Sequence, residues 1–117
     1  MKIFFYDFEV FRYNWMVVII DYDNKEKTII IDNTESLKQF YEKHKDDIWI
    51  GYNSRMYDKW ILKGILLDKN PYEISYKLIV EDINGYQILP EGKNINLNNF
   101  DISTGFHSLK QLEGFMG

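Results

Sequence analysis

The sequence predicts an α/β domain, with a mixed five-stranded sheet and helices packed on its faces. Three observations lead there. Residues 2–10 are apolar at both parities, with Ile3 and Phe5 alternating with Phe4, Tyr6 and Phe8, the pattern of a central strand covered on both faces. Two more strand-like runs follow closely, and strand and helix patterns then alternate. Of the 117 residues 45 % are apolar, enough for one core, so the whole chain reads as a single domain.

The elements follow in order. Trp15 to Tyr22 and Lys27 to Ile31 are strands joined by a tight turn at Asp23-Asn24, which makes the start of the chain a three-stranded meander. Thr34 is the expected N-cap of a helix over 35–45, where Leu37, Phe40 and Tyr41 keep helical spacing. Ile48-Trp49-Ile50 is a short buried strand ended by Gly51. A helix over about 55–67 has Tyr57, Trp60, Ile61, Gly64 and Ile65 as its inner stripe. Asn70-Pro71-Tyr72-Glu73 caps and opens another helix, expected to run to about Ile83 and stop at Asn84-Gly85. Pro90-Glu91-Gly92 marks a turn. Residues 94–102 form the last strand, with a bulge expected near Asn98-Asn99. Ser108 and Gln111 form a capping box that opens a final short helix. Trp15, Trp49 and Trp60 read as core.

Composition narrows the function. The chain has no cysteine, which excludes disulfides and thiolate metal sites. The N-terminal run holds Asp7 and Glu9 and lacks a small-residue cleavage site, so it is not a signal peptide. No apolar run is long enough to span a membrane. The expected location is therefore the cytoplasm. A net charge of −4 argues against binding nucleic acid through a broad basic surface, though not against an enzyme whose metals meet the phosphate.

Asp7 and Glu9 are the candidate chemical centre. Two residues apart on a strand they point the same way, about 7 Å apart, at the carboxyl end where open α/β sheets place their sites. Like charges so close in a half-buried place are unfavourable unless something compensates them, and a divalent cation does so simply. Gly51-Tyr52-Asn53-Ser54-Arg55-Met56-Tyr57-Asp58 is the second informative stretch, where a strand hands over to a helix. Asp58 falls in the first helical turn, a favourable place for a carboxylate. Each residue also has an ordinary reading: a strand end meeting water for Asp7 and Glu9, a dipole-favoured charge for Asp58, a turn residue for Asn53, a surface loop residue for His107.

Taken together, Asp7-Phe8-Glu9 and Asn53-x-x-x-Tyr57-Asp58 resemble the first two motifs of the DEDD superfamily (DnaQ-like) of 3′–5′ exonucleases, nearest to the proofreading domain of phage and family B DNA polymerases. Ser108 to Gly117 looks like the segment after the last sheet strand in phage members. The resemblance implies a ribonuclease-H-like fold. It further implies that Asp7, Glu9 and Asp58 are catalytic and hold two Mg²⁺ or Mn²⁺ ions. Phe8, Asn53 and Tyr57 would then lie against the nucleic acid, and the substrate would be a single-stranded DNA or RNA 3′ end.

The family's third motif, a fourth carboxylate preceded by Tyr or His, is not found. His107 has Leu112, not Asp, five residues on, and Asp101 matches no motif. The expectation is a domain over 1–117 truncated before that motif, missing a C-terminal helix and weakly active or inactive alone. A protein partner or a second copy would cover the face left bare. The alternative is a phage-encoded binding protein that inhibits a host nuclease, of the anti-CRISPR type, on an exonuclease-derived fold.

Overall fold

The computed structural model describes residues 1–51 and 57–101. Strand β1 (Ile3–Val10) is central. It pairs antiparallel with β2 (Trp15–Asp21), and β2 with β3 (Lys27–Ile31). On its other side β1 pairs in parallel with β4 (Ile48–Gly51), and β4 with β5 (Asn98–Asp101). The sheet is therefore mixed and five-stranded, in the order β3-β2-β1-β4-β5. Helix α1 (Thr34–His44) carries the chain from β3 to β4. Helices α2 (Tyr57–Leu66), α3 (Pro71–Ile79) and the short α4 (Gly85–Ile88), followed by a 3₁₀ segment (Pro90–Asn94), carry it from β4 to β5.

One face of the sheet holds the core. Phe4, Tyr6 and Phe8 of β1, Val17 and Ile19 of β2, and Trp49 of β4 pack against Leu37 of α1, Trp60, Ile61 and Ile65 of α2, and Ile74 and Leu78 of α3. Tyr6 and Trp49 are wholly buried, and fully burying large side chains of this kind contributes about 1.5–3 kcal/mol each. The three predicted core tryptophans are all inside. Helices were expected on both faces, yet among the described residues they are confined to this one. The opposite face carries Ile3, Phe5, Asp7 and Glu9 of β1. Phe5 is buried there, while Ile29, Ile31 and Phe100 in neighbouring rows are more than half exposed.

Several boundaries differ from expectation, each for a local reason. Asn33, not Thr34, caps α1, because its side-chain oxygen accepts the Ser36 N–H at 2.9 Å. Helix α3 stops at Ile79 rather than near Ile83: Asp82 takes a left-handed conformation (φ 53°) and the Ile83 N–H turns back to the Lys77 carbonyl. Asn84-Gly85 starts α4 instead of ending α3, with Asn84 accepting the Tyr86 N–H. The last strand begins only at Asn98. Its register with β4 is unbroken, so the slip in alternation marks the start of the strand and not a bulge. The hairpin turn at Asp23-Asn24 extends to Lys25, whose φ of 61° lets the chain reverse. The expected helix at Ser108 lies outside the described residues.

Gly85 is required by packing. A Cβ there would lie 2.2 Å from the indole of Trp60, which Gly92 also approaches closely. Gly85→Ala should therefore destabilise the fold by about 1–3 kcal/mol, read as a lower urea midpoint with unchanged slope. An unchanged midpoint would mean the helix start yields without cost.

Three aspartates give the fold an acid limit. The Lys2 ammonium, 2.7 Å away, holds Asp21 below the usual carboxylate range against a burial that raises it. Asp32 is lowered by the Asn14 amide and the Trp15 N–H. For Asp47, burial pushes upward, but the His44 ring and the Lys2 N–H outweigh it. Each folded-state value lies below the unfolded one. The stabilisation is thus present above the unfolded value and is lost as pH falls through the folded one. Thermal midpoints should hold steady above about pH 5 and drop below about pH 4, with a shallower drop in Asp21→Asn.

Candidate functional site

The site is built where β1 outruns its neighbour. The Ile3 carbonyl accepts the Tyr22 N–H at 2.9 Å, which fixes the odd residues of β1 as those bonded to β2. The even residues turn their N–H groups to the β4 side. Among the described residues β4 is in register with Ile3 to Phe5 only and does not reach the buried Phe8 N–H. Asp58, in the first turn of α2, supplies the acceptor: its Oδ1 lies 2.8 Å from the Phe8 nitrogen. Asp58 is 2 % exposed, which places a carboxylate inside the protein between the positions of Asp7 and Glu9 along the strand. The helix N-terminus favours the charge there.

Tyr57 stands beside it. Its phenol bonds the Ser75 hydroxyl of α3 at 2.8 Å. Burial raises the phenol's pKa. The Ser75 bond works the other way, and the negative charges of Asp58 and Asp7 raise it further. Both carboxylates are thus within electrostatic reach of one phenol, which stays protonated and able to donate. Ser75 was not foreseen: it is 18 residues from Tyr57, and no local pattern marks it.

The predicted site residues separate into four groups. Asp7 and Asp58 are brought to the same end of β1. Glu9 is exposed and opens to solvent. Among the described residues no three acidic or histidine side chains converge closely enough to hold a metal ion. Asp58 Oδ1 is turned to a backbone N–H while Glu9 is exposed. Phe8 and Tyr57 are 4 % and 9 % exposed. Phe8 packs edge-on against Tyr6, so both rings have packing roles as placed. Asn53 and His107 lie outside the described residues. Tyr13 and Arg12 are on the surface, with the Arg12 guanidinium 5.5 Å from the centre of the Tyr13 ring. Among the described residues no helix is long and apolar enough to cross a membrane.

Comparison of the chain with protein-family models, with curated proteins and with solved structures finds no match. The site's meaning therefore rests on its geometry.

Removing the Asp58 acceptor isolates its structural share. Asp58→Ala leaves the Phe8 N–H buried and unpaired and should cost about 1–3 kcal/mol of stability. Asp58→Asn keeps a carbonyl oxygen in place and should cost clearly less. Equal losses in urea unfolding would show that the bond contributes little.

Proposed function

We propose that this chain is an exonuclease-like domain of ribonuclease-H-like type whose Asp7, Glu9 and Asp58 form a divalent-cation site. The observation that carries the reading is the docking of Asp58 at Phe8, which joins the Asp-x-Glu strand to the Tyr57-Asp58 helix start. The strand order, with a meander on one side of β1 and parallel crossovers on the other, supports it.

The donor chemistry fits Mg²⁺ or Mn²⁺: the ligands are hard carboxylate oxygens with no thiolate. Asp7 and Asp58 would hold the metal, and Glu9 would turn inward from its exposed position to complete the set. Divalent ions held there would supply an activated water and stabilise the leaving oxygen of a phosphodiester. The chain's own contribution is to fix Asp58 through Phe8 and to keep a protonated phenol, Tyr57, beside the carboxylates. Within these 117 residues only three carboxylates match the family pattern, so the reading includes weak metal binding and little or no trimming of a single-stranded 3′ end by this chain alone.

A second reading, a protein-binding module of the nuclease-inhibitor type, is favoured by one observation. The face opposite the helices exposes Ile29 (54 %), Ile31 (60 %) and Phe100 (59 %). Ile29 and Ile31 lie in the same cross-strand rows as Asp7 and Glu9. Apolar rows of this kind usually mark contact with another chain, a partner or a second copy.

Calorimetry with Mn²⁺ separates the two. The exonuclease-like reading expects saturable binding with a dissociation constant on the order of 0.1–1 mM, weakened at least about tenfold in Asp7→Ala. A 5′-labelled single-stranded DNA should be shortened slowly or not at all. Binding unchanged in Asp7→Ala would overturn the metal site. No binding in the wild type would leave the second reading.

A further inference from the structure

A cavity of about 320 Å³ lies at the other end of the sheet, on the helix-covered face. Its floor is Phe4 of β1 and Ile19 of β2, and Phe40, Lys43 and His44 of α1 form one wall. Those three are spaced i, i+3, i+4 and so share one side of the helix. The His44 ring stands edge-on to Phe4 at 4.7 Å and tilted against Phe40 at the same distance, and Asp47 holds its Nδ1 at 2.9 Å. The wall is therefore aromatic and fixed. Its volume falls at the small end of the range for ligand sites.

The charges at the rim are of two kinds. Lys2 and Asp21 neutralise each other at 2.7 Å. Lys43 and Glu26 have no ion-pair partner among the described residues, and both are exposed. An entering molecule thus meets one free ammonium and one free carboxylate. The ammonium can hold one negative charge. A second would be repelled by Glu26, which argues against a phosphate dianion.

We infer that this cavity binds a small ring-bearing monocarboxylate, with its ring against Phe40 and His44 and its carboxylate at Lys43. The site lies toward the start of β1, on the face opposite Asp7, and does not depend on the metal-site reading.

The test titrates the full ¹⁵N-labelled chain with indole-3-acetate, using tryptamine as the cationic control with the same ring, and follows amide shifts. Indole-3-acetate should give saturable shifts centred on Phe4, Phe40, Lys43 and His44, with a dissociation constant on the order of 1 mM. Tryptamine should bind several-fold more weakly. Lys43→Gln should weaken indole-3-acetate by about threefold and Glu26→Gln tighten it by a similar factor, as expected of exposed charges. Both side chains are at the surface, so the variants retain the fold. The inference is overturned by shifts that fail to saturate at about 10 mM, by shifts centred elsewhere, by equal affinity for tryptamine, or by a Lys43→Gln variant that binds as the wild type does.

Discussion

The rest of the structure depends on one buried hydrogen bond, between the Asp58 carboxylate and the Phe8 N–H. It forms because β1 is longer than the strand beside it. A buried N–H needs an acceptor, and among the described residues no β4 residue is in register with Phe8. A helix start fills the gap with a side chain. The same bond therefore closes the sheet's open end, fixes where α2 begins relative to β1, and brings a charge into the interior beside Asp7. With Tyr57 fixed by Ser75, α3 is drawn into the same arrangement.

Much of this order was legible in the residues. Ile3 to Val10, apolar at both parities, declared a central strand, and the tryptophans declared the core. The motif at Tyr57-Asp58 placed a carboxylate at a helix start, as found. What escaped the sequence depends on contacts between distant segments. Asn33 and Thr34 are both good caps, and only the bond to Ser36 chooses between them. Asn84-Gly85 has the look of a helix stop, yet Gly85 is there because Trp60 leaves no room for a Cβ.

Lys63 shows the limit most clearly. A lysine in a helical pattern reads as a surface residue. Here it is 6 % exposed, its ammonium bonds the Gly92 carbonyl at 2.9 Å, and burial, with Lys59 nearby, lowers its pKa. Its partner is a backbone group 29 residues away, which no local spacing can announce. Glu9 shows a second limit: strand parity placed it beside Asp7, but parity says nothing of whether a long side chain at a strand end turns in or out.

The unequal lengths of β1 and β4 have one more consequence. In the first half of β1 the backbone is held by strands on both sides. In the second half one side is held by β2 and the other by a side chain carried on a helix. Exchange of the Phe8 amide with solvent is therefore governed by the seating of α2, whereas a sheet amide would ordinarily report on the parting of strands. A single backbone proton thus reads out whether helix and sheet are joined, and with it whether Asp58 is at the site.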